Sequence, residues 1–296
     1  MWILFGFGSA FFAGITSILA KYGLEDVDSR VATALRTVII LLFSWLLVFV
    51  TGSAATLGEI GQRTWIFLIL SGFATGGSWL CYFRALQIGD VNKVTPIDKS
   101  STVLTMLLAM IFLQESVTIF KIFAMILIGL GTFLMIQRKE GKLENQLDVR
   151  EEKSMRRSYE WMIAAFGSTI FASLTSILGK IGIEGVNSTL GTAIRTVVVL
   201  LMAWIVVFFS GKQATIKAIQ KRNWWYLMLS GIATGASWLC YYRALQLGDA
   251  SVVVPIDKLS ILITIAFSYL ILKESLPKRA ILGLVGIVAG TLLLLI

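Results

Sequence analysis

Apolar residues run along this chain in ten long stretches that short polar segments separate. They cover about residues 2–20, 31–51, 64–86, 94–113 and 118–137, and then 161–179, 190–210, 223–245, 253–272 and 279–296. Stretches of about 20 apolar residues have the length that an α-helix needs to cross a ~30 Å hydrocarbon layer. Backbone polar groups find no water there, so these stretches must be helical. The pattern predicts an all-α integral membrane protein with ten transmembrane helices.

The second half of the chain repeats the first. Residues 71–105 align without a gap with residues 230–264, a constant 159 positions later, and about two-thirds of the positions are identical. The same register relates ITSILAK at 15–21 to LTSILGK at 174–180. The chain is therefore one five-helix unit written twice.

Three segments follow from this repeat: a first unit at 1–140, a charged linker at 141–158 and a second unit at 159–296. Five helices is an odd number, so the second unit must enter the membrane upside down relative to the first. The predicted fold is two inverted five-helix repeats around a central cavity. Membrane carriers hold their substrate at such an interface between repeats.

Composition excludes several classes of protein. The chain is 57% hydrophobic and only 15% charged, and it contains two cysteines and no histidine. Neither a metal-ligand cluster nor a nucleophile with its base is visible, so we expect no enzyme, no metal and no cofactor. The net charge of +9 comes without a nucleic-acid motif, and we expect no nucleic-acid partner.

The positive charges instead predict an orientation. The segment at 137–160 contains seven basic residues, namely Arg138, Lys139, Lys142, Arg150, Lys153, Arg156 and Arg157. Cytoplasmic loops of membrane proteins are rich in Lys and Arg. We therefore expect a multi-pass protein of the cell (plasma or inner) membrane, with a cytoplasmic linker and both termini outside.

Two local patterns concern how the helices are built. Glycines four residues apart occur at 72 and 76, 231 and 235, and 286 and 290, and this spacing predicts close helix packing in lipid. Pro96 and Pro255 are expected in the first turn of the fourth helix of each unit, where proline is tolerated. The alternative is a broken helix there, which would present backbone groups to a solute.

The repeated motifs resemble those of a known family. Each unit has an arginine in its second helix, Arg36 or Arg195, and a YxRALxxGxxxxVxPID run at 82–98 or 241–257. A glutamate follows each run, Glu115 or Glu274. The chain resembles the EamA-type carriers of the drug/metabolite transporter superfamily. The resemblance implies a carrier of small organic solutes whose cavity is lined by helices 1, 3 and 4 of each unit.

Charged residues inside the predicted spans are candidates for gates. A charge in a transmembrane helix is costly and needs a partner or a watery cavity. We expect each aspartate to pair with an arginine of its own unit and so to close one mouth of the cavity. The candidates are Asp98 with Arg36 or Arg84, and Asp257 with Arg195 or Arg243. The alternative is that these pairs only neutralise buried charge.

Two sets of residues are candidates for solute binding. Lys99 and Lys258 are surplus cations that would favour a carboxylate or phosphate on the solute. Aromatic residues at Trp79, Tyr82, Trp238 and Tyr241 would instead hold a cation or a flat ring; their alternative role is helix packing.

The favoured function is a secondary transporter that moves a small polar metabolite, anionic or zwitterionic, by alternating access. Two alternatives stay open, a carrier of cationic or aromatic solutes and a flippase for a lipid-linked substrate. The expected partners are the solute and the lipid bilayer, with a homodimer left open.

Overall fold

The computed structural model of the chain is a bundle of helices packed side by side. It describes residues 1–25, 27–88, 94, 97–135, 151–270 and 277–296, with the backbone alone for residues 87, 151–158 and 268. Every regular element within these residues is helical. The predicted all-α class is therefore confirmed for the described part of the chain.

The helices of the first half are α1 (Trp2–Gly23), α2 (Ser29–Val50), α3 (Gln62–Ile88), α4 (Ser101–Phe112) and α5 (Ile119–Met135). Those of the second half are α6 (Glu151–Gly182), α7 (Ser188–Phe209), α8 (Lys221–Leu247), α9 (Ala250–Lys258), α10 (Ser260–Leu270) and α11 (Lys278–Leu293). Short 3-10 helices at Ser53–Glu59 and Gln213–Ala218 follow α2 and α7. Helix α6 starts inside the segment predicted as linker, because charged residues end a span but do not end a helix.

In the part of the chain that the structure describes, six stretches of helix are long and apolar enough to cross a membrane. They are Trp2–Gly23, Ser29–Val50, Gln62–Leu86, Tyr159–Gly182, Ser188–Phe209 and Ala250–Phe267, and Ile119–Met135 is a shorter apolar helix. Each coincides with one of the ten predicted stretches. The last of the six joins α9 and α10, which are separated only at Leu259.

The expectation for Pro255 is wrong. Helix α9 begins at Ala250, so Pro255 is its sixth residue and not part of its first turn. The early start has a physical cause, because the Glu115 carboxylate accepts hydrogen bonds from the backbone N–H groups of Ala250 and Ser251. Pro96 lies outside the described residues.

Equivalent positions start and end the helices of both halves. Asp28 accepts a hydrogen bond from the backbone N–H of Arg30 at the start of α2, and Asn187 accepts one from Thr189 at the start of α7. Gly52 and Gly211 follow these helices with φ of 68° and 63°, a conformation that glycine adopts without steric cost. The repeated sequence therefore builds the same local structure twice.

The distribution of side chains is that of a protein in lipid. Large apolar residues such as Leu42, Phe133 and Phe209 are exposed, whereas hydroxyl residues such as Ser168 and Thr192 are fully buried. In water this arrangement would be unfavourable, but lipid chains solvate the apolar outer surface. A polar interior of this kind is compatible with a path for a hydrophilic solute.

The two halves are interleaved. The most extensive helix contacts join α1 to α8, α3 to α6, α5 to α11 and α2 to α7. Each contact joins one helix of the first half to one of the second, and exchanging the halves reproduces the same set. This is the arrangement that a two-fold relation between the repeats produces.

The paired glycines lie where these helices meet. Gly72 and Gly76 face α7, Gly231 and Gly235 face α2, and Gly286 and Gly290 face the backbone of α5. A methyl group on any of these six glycines would come within 3.3 Å of the facing helix. The predicted role of this spacing in close helix packing is confirmed.

Both chain ends lie at the same end of the bundle. Trp2 and Ile296 line one surface cavity together with Gly248 and Asp249, which connect α8 to α9. We call this the terminal end. The opposite end, where α3 ends and α6 begins, is called the linker end; Arg84 and Glu160 form an ion pair of 3.7 Å there.

Candidate functional site

A cavity of about 410 Å³ lies between the two halves. Helices α1, α3 and α4 contribute residues from the first half, and α6, α8 and α9 contribute residues from the second. These are the helices that the family resemblance implies. One residue of α7, Arg195, joins them.

Asp257 lies in this cavity and is held by a helix of the other half. Its carboxylate accepts a hydrogen bond of 2.6 Å from the Ser9 hydroxyl of α1. The Ser9 hydroxyl also lies 3.3 Å from that of Ser237 on α8. The aspartate is therefore held by a hydroxyl pair that joins α1 to α8.

Asp98 has the equivalent environment. Its carboxylate accepts a hydrogen bond of 2.7 Å from the Ser168 hydroxyl of α6, which lies 3.2 Å from the Ser78 hydroxyl of α3. Within the described residues, no ion pair joins either aspartate to an arginine. The gate ion pairs stay a prediction.

The two arginines of the second helices bind threonines of the opposite half. Arg36 donates a hydrogen bond of 2.7 Å to the Thr234 hydroxyl, and Arg195 donates one of 2.7 Å to the Thr75 hydroxyl. Thr75 and Thr234 occupy equivalent positions in the repeat. These contacts hold α2 against α8 and α7 against α3.

Arg195 has the more complete set of partners. It is 1% exposed, and its Nε donates a second hydrogen bond to the Ser71 hydroxyl at 3.3 Å. Its guanidinium lies 5.4 Å from the ring centre of Trp238 and 4.6 Å from that of Tyr242, within the range of a cation–π contact. Arg195 therefore orients two of the aromatic rings that line the cavity.

The other two arginines of the predicted gates lie outside the cavity lining. Arg84 pairs with Glu160 at the linker end, where both side chains are about half exposed. Arg243 donates a hydrogen bond to the side-chain oxygen of Gln246.

The predicted binding residues separate into two groups. Lys258, Trp79, Trp238 and Tyr241 line the cavity, and the Lys258 ammonium lies 3.6 Å from the Asp257 carboxylate. Lys99 and Tyr82 are not among the lining residues that the structure describes.

Each of these two has other surroundings. Lys99 is exposed. Tyr82 packs against a small apolar cluster that includes Ala85 and Ala165.

Sequence reasoning missed the hydroxyl residues that bind the charged groups. The residues are Ser9, Ser71, Thr75, Ser78, Ser168, Thr234 and Ser237. A signal was present, because Ser9 and Ser168, Ser71 and Ser230, Thr75 and Thr234, and Ser78 and Ser237 are identical residues at equivalent repeat positions. Identical polar residues at equivalent positions inside the spans of both halves indicate candidates for such contacts.

Comparisons with known proteins agree with this architecture. The model of the EamA-like transporter family matches residues 1–137 and again residues 160–296. An uncharacterized transporter in the cobO 3′ region of a Sinorhizobium species is 46% identical over 137 residues, which are 46% of this chain and 97% of that protein. An uncharacterized protein of Methanocaldococcus jannaschii is 34% identical over 103 residues, 32% of this chain and 75% of its own.

A likeness in three dimensions extends over the full chain. A protein of known crystal structure superposes with a TM-score of 0.74, covering 100% of this chain and 98% of its own, at 15% sequence identity. At that identity the likeness concerns the fold alone. The family match, in contrast, is to sequence and occurs independently in each half, so the chain belongs to the EamA-like transporter family and is a membrane transporter.

Proposed function

We propose that the protein is a secondary transporter that moves a small polar organic metabolite, anionic or zwitterionic, by alternating access. Ten spans in two inverted repeats, a cytoplasmic linker and outward termini are the topology that we propose for it. The contacts between α1 and α8 and between α3 and α6 support a two-fold relation between the repeats. The position of both termini at one end supports an even number of spans.

The charges of the cavity carry the preference for an anionic group. Among the described residues, two cations, Lys258 and Arg195, and one anion, Asp257, line it. The Lys258 side chain is 45% exposed, whereas that of Asp257 is 17% exposed and already accepts a hydrogen bond from Ser9. An ammonium group with this exposure is available to a carboxylate or phosphate of the solute. The neighbouring carboxylate adds a site for the ammonium of a zwitterion.

A cationic solute is the second candidate, because Trp79, Trp238 and Tyr241 all line the cavity. Rings of this kind bind cations through their faces. However, Trp238 already faces the guanidinium of Arg195, and the Tyr241 hydroxyl is 2.8 Å from that of Ser176. The aromatic groups are thus partly engaged with the protein itself, and this favours the anionic candidate.

Lys258 provides the test. Purified protein is screened for ligand-induced thermal stabilisation with amino acids, organic acids, sugar phosphates and choline-like cations. We expect an anionic or zwitterionic solute to stabilise the parent and Lys258→Arg, but to lose about tenfold or more in affinity with Lys258→Ala, a loss of ~1.4 kcal/mol. Stabilisation by cations that is equal in parent and Lys258→Ala would contradict the anionic preference.

Transport itself is measured with the solute that the screen identifies. Proteoliposomes preloaded with unlabelled solute should accumulate labelled solute. A carrier that opens to each face in turn brings labelled solute in and takes unlabelled solute out. Binding without any flux, in vesicles that contain folded protein, would contradict the proposed transport function.

A further inference from the structure

A buried carboxylate lies at the terminal end of the bundle. Glu115, in the segment between α4 and α5, has a side chain only 5% exposed. Its two oxygens accept hydrogen bonds from the backbone N–H groups of Ala250 at 2.6 Å and Ser251 at 2.9 Å. These groups begin α9 and have no partner within their own helix. Glu115 of the first half therefore caps a helix of the second half.

A lysine completes this cluster. The Lys180 ammonium, near the end of α6, donates hydrogen bonds to Glu115 at 3.0 Å and to the backbone oxygen of Gly248 at 2.7 Å. Gly248 directly follows α8. One pair of opposite charges thus ties the α4–α5 connection to the ends of α6 and α8 and to the start of α9. We call Glu115, Lys180, Gly248 and the first two residues of α9 the terminal cluster.

Further polar contacts lie at the same end of the bundle. Lys121 of α5 forms an ion pair of 3.0 Å with Asp249, next to the terminal cluster. The Gln246 amide of α8 donates hydrogen bonds to the backbone oxygens of Ile183 and Val186, which follow α6. The seven residues Ala250–Ile256 of α9 are all buried. The start of α9 is therefore buried, and its first backbone N–H groups are held by hydrogen bonds.

Alternating access needs contacts between the halves that form at one end of the cavity and break when that end opens. The terminal cluster provides such contacts, because it joins Glu115 of the first half to Lys180 and to the start of α9 in the second half.

We propose, on the basis of the transport function proposed above, that the terminal cluster is the gate that closes the terminal end of the cavity. Opening requires the Glu115 carboxylate to leave the start of α9 and its ion pair with Lys180 to separate. The repeat places the same residue types, Lys21 and Glu274, at the equivalent positions; Glu274 lies outside the described residues.

The experiment measures access to the cavity from each side of the membrane. Ala172 lines the cavity, and Ala172→Cys is made in a background in which Cys81 and Cys240 are replaced by alanine. A membrane-impermeant thiol reagent is applied to intact cells and to inside-out vesicles. A cysteine at the exposed residue Ile296 identifies the face that corresponds to the terminal end.

Lys180→Met removes the partner of Glu115 without changing the length of the side chain much. We expect it to raise the rate of labelling of Ala172→Cys from the terminal end about tenfold, the change that ~1.4 kcal/mol gives in an equilibrium. Glu115→Gln should have an effect in the same direction, because its neutral amide binds Lys180 less strongly. Lys180→Arg keeps the charge and should label at a rate close to the parent.

Two control variants make the result specific. Glu160→Gln breaks an exposed ion pair at the linker end and should not change labelling from the terminal end. Lys21→Met, the repeat equivalent of Lys180→Met, should not raise it either. All variants are first checked for a monodisperse elution profile in detergent, so that increased labelling of unfolded protein is not counted.

Equal labelling of parent and Lys180→Met from the terminal end, in folded protein, would overturn the gate. The same holds if Glu160→Gln raises labelling as much as Lys180→Met, since the effect would then not depend on the terminal cluster. Neither outcome concerns the proposed transport function, which is tested by the exchange assay on the parent protein.

Discussion

Valine at position 283 is expected to prevent α11 from packing against α5. A Cβ atom at Gly283 would lie 2.5 Å from the backbone oxygen of Gly131 and 2.7 Å from the backbone nitrogen of Met135. Both atoms belong to the backbone of α5, which cannot move aside as a side chain can. Overpacking costs about 1–3 kcal/mol where side chains can adjust, so we expect Gly283→Val to cost at least the upper value.

The α5–α11 contact offers a matched control. Gly129 is also on α5, but a Cβ atom there would lie 3.4 Å from a single side-chain atom of Val103, an ordinary contact distance. The repeat equivalent of Gly129 is Val288, so the fold already accepts valine at this position of the unit. We expect Gly129→Val to keep the parent's yield and thermal midpoint in detergent and Gly283→Val to lower both strongly. Equal stability of the two variants would refute the assignment of close backbone contact to Gly283.

Arg195→Met is expected to weaken solute binding and transport strongly while leaving the protein folded. The hydroxyl groups that Arg195 binds keep other partners, because Thr75 also donates to the backbone oxygen of Ser71 and Ser71 donates to that of Thr175. Removing the arginine therefore leaves neither of them without a partner. A charge that is buried without an opposite charge is costly, and none of the ion pairs among the described residues involves Arg195, so an apolar side chain at this position should not lower stability.

The functional loss has two causes. Arg195 is a cation that lines the cavity, and its guanidinium orients the rings of Trp238 and Tyr242. We expect the affinity for an anionic solute to fall about tenfold or more, which corresponds to ~1.4 kcal/mol. Solute exchange in proteoliposomes and ligand-induced thermal stabilisation measure the effect.

Two further variants show which property of Arg195 causes the loss of transport. Arg195→Lys keeps the charge but lacks the planar fork that bonds two hydroxyl groups and stacks on rings, so we expect it to recover only part of the activity. Arg36→Met removes the repeat equivalent, which is not among the described residues that line the cavity, and should have the smaller effect. If Arg36→Met and Arg195→Met reduced exchange equally, the two arginines would serve helix packing alone.

The helices were predictable because the relevant signals are local. A stretch of about 20 apolar residues is recognised without its neighbours, and six of the predicted spans recur as helices of sufficient length and hydropathy. The start of α9 was not predictable in this way. It depends on Glu115, which is distant in sequence and accepts hydrogen bonds from the first residues of that helix.

The candidate site was predictable only in part. Lys258, Trp79, Trp238 and Tyr241 line the cavity, because the third and fourth helices of each unit face the interface between the halves, whereas their role in binding stays a prediction. The partners of the aspartates were not foreseen. Opposite charges attract regardless of topology and suggested arginines, but the contacts between α1 and α8 and between α3 and α6 place serine hydroxyl groups closer.

The amino-acid sequence by itself determined the helical class, the duplication and the embedding in lipid. Hydropathy and identity between the halves can both be measured from the amino-acid sequence alone, because they depend on residues that are near one another or at a constant offset. Only the tertiary structure decided which helices of one half lie against which of the other. That choice makes Ser9 the partner of Asp257 and joins Glu115 to Lys180, since hydrogen bonds act over about 3 Å and depend on which helices come that close.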